Sequence, residues 1–221
     1  GQARHLEQNH DFAFGILTSL ANNVVGPRGI GVEFQPKTLT GEIHQDFAKQ
    51  LTELYAEWSK RPDTTRQMSW GKSQRLMALT WLRDGEALLR HLEGSIPGLN
   101  HRAGVNYSIE LMEPDFLPVS YNDAAKRITQ GIERSAWGEV TGYHLYDQHP
   151  GGNLGWSMKT RRHSAASMQH IRMVRRLHQL RGVSIFAAVM NRLNDIKDYE
   201  ESERVAARIA AAMVGFIKKG T

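Results

Sequence analysis

The sequence of 221 residues contains no cysteine. That excludes disulfides, thiolate metal sites and cysteine nucleophiles. It also lacks any uninterrupted apolar run near the ~20 residues of a membrane-spanning helix. Its first residues, "GQARHLEQNHD", have no apolar core of a signal-peptide kind, so nothing in them directs the chain outward. An initial Gly in place of Met suggests a processed, tagged or excised product. Neither internal repeats nor low-complexity tracts occur.

What is present is ordinary globular composition, 40% hydrophobic and 23% charged, enough for one large domain or two small ones. The net charge is +5, with ten histidines besides. A modest basic excess permits contact with nucleic acid without demanding it.

Periodicity predicts an α+β chain, with helices at both ends and a small sheet of mixed or antiparallel strands between them. Residues 3–25 read as one helix, stopped by Gly26-Pro27. "GIGVEFQP" alternates Ile30, Val32 and Phe34 and reads as a short strand. Residues 40–60 form an amphipathic helix with Thr40 as its cap. A further helix spans 69–92, with Gly85 marking an end or a passage into strand. "VNYSIELMEP", two short strands around Trp137-Gly138, and "MQHIRMV" supply the sheet. Residues 184–219 are predicted helical, with a break near 195–200.

Several groupings bear on chemistry. "GPRGIG" has the wrong spacing for a dinucleotide fingerprint, and a helix precedes it where a strand should. "HPGGNLG" lacks the Lys-Ser/Thr of a phosphate loop. His144 and His149, and His163, His170 and His178, do not have the spacing of converging metal ligands. Glu110, Glu113 and Asp115 form an acidic cluster, but Glu110 alternates out of phase with Ile109 and Leu111, which turns it to solvent. No serine sits in a G-x-S-x-G elbow. No catalytic, metal or cofactor site is therefore assigned. The remaining enzyme reading is a hydrolase built from His144, His149 and the acidic cluster.

The densest basic feature is "HIRMVRRLHQLRG", carrying Arg172, Arg175, Arg176 and Arg181, preceded by Lys159, Arg161 and Arg162. Several phosphates could be neutralised there, as in a monomeric nucleic-acid-binding module using Arg161–Arg181. No aromatics interleave for base stacking. The bland alternative is a solvated loop, or arginines paired across an interface with Asp195, Asp198, Glu200 and Glu201.

The end of the chain, "ERVAARIAAAMVGFIKKGT", carries a stripe of Val205, Ile209, Met213 and Phe216, widened by alanines that include Ala210. Glu200, Glu201 and Glu203 precede it, and Lys218 and Lys219 come after it, which complements a helix dipole. Small side chains let a neighbouring helix approach closely. That neighbour is either the chain's own domain or the same helix of another copy.

Four stretches together resemble the lambda-type family of tailed-bacteriophage portal proteins. They are "ARHLEQNHDFAFGILTSLANNVVGPRGIGVEFQP", "FAKQLTELYAEWSK" with "SWGKSQRLMALTWLRDGEALLR", "GIERSAWGEVTGYHLYDQHPG", and the run from His170 to Gly220 with its Gln-x-Arg-Gly hinge. One departure is Leu177-His178, where the family would place a Pro-Gly turn. The resemblance implies a wing-like region over 1–182 and a helical segment over 183–221 leading into a stem. It implies a homo-oligomer, expected to be a dodecameric ring at a capsid vertex of the virion, assembled in the host bacterial cytoplasm. Double-stranded DNA would pass through the ring. Terminase, the major capsid protein and head-completion or tail connector proteins would be partners, with no membrane and no reaction of its own. Arg172, Arg175, Arg176, Arg181, Lys218 and Lys219 are then candidate DNA or interface contacts. Val205, Ile209, Ala210 and Met213 are candidate intersubunit positions.

Overall fold

The structure is a computed structural model that describes residues 1–101, 104–151, 158–213 and 215. Helices α1 (Gln2–Asn9), α2 (Asp11–Val25), α3 (Gln45–Trp58) and α4 (Trp70–Asp84) come first. Next are strands β1 (Glu86–Glu93) and β2 (Tyr107–Met112), then β3 (Ile128–Thr129), β4 (Ile132–Arg134), β5 (Val140–Tyr146), β6 (Thr160–Ser164) and β7 (Met168–Arg172). A 3-10 turn at Ile185–Ala188 leads into α5 (Met190–Ala212). Among the described residues no helix is long and apolar enough to cross a membrane.

The strands make two antiparallel sheets, not one: β2-β1-β7 and β3-β4-β5-β6. The central strand β1 is apolar on both faces, and the alternation assigns each side its own partner. Leu88 faces the second sheet, in a cluster with Met112, Met168, Leu117, Ile132, Tyr143 and Leu145. Ala87 and Leu89 face α4, in a cluster with Met77 and Ile109. A third cluster is helical: Leu6, Ala13, Leu17, Leu82, Phe186 and Leu193.

α2 packs in an unusual sense. Its buried positions Ala13, Leu17 and Ala21 are mostly small, while Phe12, Phe14, Ile16, Leu20 and Val24 point outward. The alanines allow a close approach to α4 and leave the larger apolar side chains uncovered. α3 has no buried residue at all. It rests on the body through Trp58, whose indole N–H donates to the Tyr107 carbonyl at 3.1 Å and whose ring packs on Trp70 and Tyr107.

Several predicted elements are corrected. The first helix is two, broken at His10, which is extended at φ −137°. "GIGVEFQP" is irregular, because among the described residues no strand lies beside it to complete a ladder; Lys37 and Ile43 form an isolated bridge at its end. α3 starts at Gln45, capped by the His44 ring, which accepts from the Phe47 N–H at 3.2 Å, rather than by Thr40. α4 stops at Gly85, which takes the left-handed conformation at φ 88°. The chain passes there directly into β1 and does not continue as helix to residue 92. α5 runs without interruption through residues 195–200. Its start at Met190 puts Glu200, Glu201 and Glu203 in mid-helix, away from the N-terminal end of the dipole. Finally, Arg161 and Arg162 lie on the edge strand β6 rather than in a loop.

Candidate functional site

The basic segment does not form one surface. Arg181 is turned inward: its Nε donates to Glu86 Oε1 at 2.8 Å, and its terminal nitrogens donate to the carbonyls of Leu117 (3.0 Å) and Pro114 (3.3 Å). Arg172 donates to the carbonyls of Gln179 and Leu180 at 3.2 and 2.8 Å. A phosphate would have to displace these partners to reach either guanidinium. Arg162 binds Glu133 through two nitrogens, and Arg161 pairs with Asp147 at 3.1 Å. Arg175 and Arg176 are exposed on the loop after β7. That separation weakens the nucleic-acid-module reading, since counterion release needs cations that converge on one backbone. Lys218 and Lys219 lie outside the described residues.

The loop holding Arg175 and Arg176 also settles the shape of the turn at Leu177-His178. His178 adopts φ 61°, the left-handed conformation a glycine would take without strain. The turn therefore places a histidine in a backbone conformation that favours glycine.

The histidine and acid groupings resolve into ion-pair networks. His149 Nε2 lies 3.1 Å from Glu113, but His144 Nε2 lies 3.2 Å from Glu133 on the other sheet, so the two histidines do not share a site. Glu113, Asp115 and His149 do bring one ligand atom each within 4.8 Å of one another. Sequence spacing could not show this, because His149 is distant in the chain. Two arginines already serve these acids. Arg4 pairs with Asp84 at 2.9 Å and with Asp115, and lies 3.5 Å from Glu113. Arg83 pairs with Glu7 at 2.9 Å and Asp84 at 2.8 Å. Burial opposes the charge on Asp84, but hydrogen bonds from Arg83 and Arg4 outweigh it and hold the carboxyl below its ordinary range. The network ties α1, α4 and the segment after β2 together. Glu110 is not turned freely to solvent either: Arg90 on β1 meets it at 2.6 Å.

Sequence reasoning missed the buried carboxylate of Glu86. It accepts from His170 Nε2 at 2.9 Å, from Arg181, and from the Gly182 N–H at 2.8 Å. Burial would raise its pKa, yet these donors win and hold it at about 2. A lone glutamate opening an apolar strand was the available signal.

The candidate intersubunit positions stand apart from all of this. Val205 is 47% exposed, Ile209 53% and Met213 60%. Ala210 is exposed beside them, and Met213 sits just past the helix end. Leu193 is the only buried residue of α5. Beyond Leu193, whose side chain joins the helical cluster, this apolar stripe is open to solvent.

Among the described residues the geometry is that of an α+β body, with α5 extending from it and leaving its apolar stripe in solvent. The family described as "Phage portal protein, lambda family" matches residues 1–221, and the chain belongs to it. It is similar to a "Probable portal protein" of Halomonas phage phiHAP-1, 26% identical over 226 residues, covering 99% of this chain and 42% of that protein. The chain thus spans less than half the length of that relative. Among solved structures, "Neck of empty GTA particle computed with C6 symmetry" superposes with a TM-score of 0.52 at 13% identity, over 100% of this chain and 48% of the other. That likeness concerns the fold.

Proposed function

We propose that this chain is part of a portal, or head–tail connector, subunit of a tailed bacteriophage or prophage. In that reading residues 1–182 form a wing-like region and residues 183–221 lead into the stem. Copies form a ring, expected to be a dodecamer, at one capsid vertex of the virion. The major capsid protein surrounds it, and double-stranded DNA passes through it during packaging and ejection. Terminase docks during packaging, and head-completion and tail connector proteins later. The chain carries out no reaction; the terminase ATPase supplies the energy. Assembly takes place in the host bacterial cytoplasm. A modest net charge of +5 suits a conduit, because strong phosphate contacts would retard the moving DNA.

The observation that carries this reading is the uncovered stripe of Val205, Ile209 and Met213, on a helix that the chain's own core reaches only at its first turn, through Leu193. In a ring, the same helix of the next subunit covers it. Electron microscopy of the longest soluble form is the test. Rings with a central hole are expected, and monodisperse single chains under assembly conditions would sink the reading. Ala210→Glu should abolish the rings while far-UV circular dichroism stays unchanged. Equal loss of fold and assembly would place Ala210 in the chain's own fold instead.

A further inference from the structure

The projecting helix leaves the body at two buried polar contacts. The first is the Glu86 clasp. Its carboxylate accepts from His170 on β7 and from Arg181 and Gly182 on the segment that leads to α5. Arg181 extends the clasp to Leu117 and Pro114, so the second half of the body is gripped as well. At the same place the chain crosses itself. The Met173 N–H donates to the Gly85 carbonyl at 2.7 Å, and the Val183 N–H donates to the Met173 carbonyl at 3.1 Å. A Cβ on Gly182 would lie 1.9 Å from the Gly85 oxygen, and one on Gly85 would lie 2.3 Å from the Val183 carbonyl carbon. Neither position tolerates a side chain without moving the crossing.

The second contact is His10, buried at the break between α1 and α2. Its Nε2–H donates to the Leu193 carbonyl at 2.8 Å, at the only buried residue of α5. After Leu193 every residue through Met213 is exposed, although Lys197 Nζ, one turn on, still donates to the Asn9 carbonyl at 3.3 Å from the solvent side. The clasp and the histidine therefore bracket the base of the helix, one before its start and one in its first turn.

A single contact would let the helix swivel, whereas two fix a direction. The lever is long: from Leu193 to Ala212 the helix extends about 30 Å, so a tilt of about 10° at the base moves the tip by ~5 Å. That is roughly half the 8–10 Å spacing at which helices pack. Ordinary looseness at the base would thus carry the tip out of register with any partner.

We propose that Glu86, Arg181, Gly182 and His10 are positioning residues that form a two-point mount and set the direction in which α5 leaves the body. The claim concerns the single chain and stands apart from what α5 packs against.

Because the chain has no cysteine, two engineered ones can carry spin labels without interference. Labels at Gln169→Cys on β7 and Ala207→Cys on α5, in chain diluted with unlabelled protein, report the distance by pulsed electron resonance. One narrow peak is expected. Arg181→Lys keeps the charge opposite Glu86 but loses the fork that reaches the two carbonyls, and should broaden the peak. His10→Leu should broaden it as well, and the double variant should lose it. Gly182→Ala should displace it. Arg175→Gln, exposed on the neighbouring loop, should leave it alone. Near-UV circular dichroism from Trp58 and Trp70 is measured in parallel and should be retained throughout. An unchanged peak in the double variant overturns the mount, and response to only one contact overturns its two-point form. Loss of the near-UV signal in every variant also overturns it, since the cluster would then be core support.

Discussion

α4 and α5 both carry apolar residues at helical spacing and have opposite fates. α4 buries Ser73, Met77, Ala78 and Leu82 between the helical cluster and the first sheet. α5 is longer, 23 residues against 15, yet buries only Leu193. Apolar spacing alone does not distinguish them. What differs is whether the rest of the chain supplies a complementary face. An apolar stripe without such a face is what the proposed ring would cover with the next subunit's helix. α2 lies between the two cases. Its small residues face inward and Phe12 and Phe14 face out, so one helix carries both a core side and an uncovered side.

The strongest way to break this contrast is to truncate matched side chains on each side of it. Leu17 is fully buried, and Leu17→Ala should destabilise the single chain by about 3 kcal/mol through lost burial and the cavity left behind. Ile209→Ala, at a position 53% exposed, should change single-chain stability by less than about 0.5 kcal/mol. Urea titration below the assembly concentration measures both. A comparable loss at Ile209 would mean that α5 folds back on the body.

Acid offers a second comparison, between the buried clasp and the contact that His163 makes between the two sheets. The Glu86 carboxyl is held at about 2, against an ordinary value of 4.5. Its contribution is present above pH ~4.5 and disappears as pH falls toward 2, on the order of 3 kcal/mol in total. His163 responds in a different window. Burial, followed by the charges of Arg90 and Arg161, lowers its pKa, and Arg90 donates to its neutral ring at 3.1 Å. A histidine kept neutral in the fold costs stability once pH drops below its unfolded value of ~6.5. That contact joins β1 to β6, so weakening near pH 6 should appear first between the sheets. Melting curves from pH 7 to pH 3 should therefore fall in two stages for the parent. Removal of the first stage is expected in His163→Gln, and its persistence there would assign that stage elsewhere.

Overpacking gives a smaller and more local contrast. Ala13 has no exposed surface, and Ala13→Leu should cost about 2 kcal/mol by forcing α2 away from α4. Ala210→Leu adds the same atoms in open solvent and should cost the single chain almost nothing. A large effect at Ala210 in the isolated chain would remove the distinction between the two alanine faces.

The parts of the fold legible in the sequence are those decided locally. α4, the hairpin around Trp137-Gly138, and Gly85 as a helix end come from periodicity and glycine conformation. The misreadings have long-range causes. "GIGVEFQP" has strand alternation but no described neighbour to pair with. Polar residues at 195–200 suggest a break, yet polarity interrupts a helix only when the helix must be buried, and this one stands in water. For the Glu86 clasp the sequence offers only a lone glutamate opening an apolar strand; its partners Arg181 and Gly182 lie far along the chain and only the fold brings them to it. The exposed stripe on α5 is legible as apolar, but whether the chain's own body covers it is not.

The smallest effect expected lies at the turn between the last strand and the projecting helix. His178 holds φ 61°, a conformation that costs an ordinary residue ~1–2 kcal/mol. Glycine would relieve that strain while adding freedom to the unfolded chain, which returns about 0.5–1 kcal/mol of the gain. His178→Gly should therefore stabilise the chain by up to about 1 kcal/mol, read as a small rise in urea midpoint at constant slope. The turn lies just ahead of Gln179, whose side chain accepts from the Arg175 N–H and donates to the Arg181 carbonyl at 2.7 Å. Unlike the Glu86 clasp, this turn carries no buried charge, so relaxing it should leave the direction of α5 unchanged. If His178→Gly instead destabilises the chain, the ring contributes contacts that offset its strained backbone.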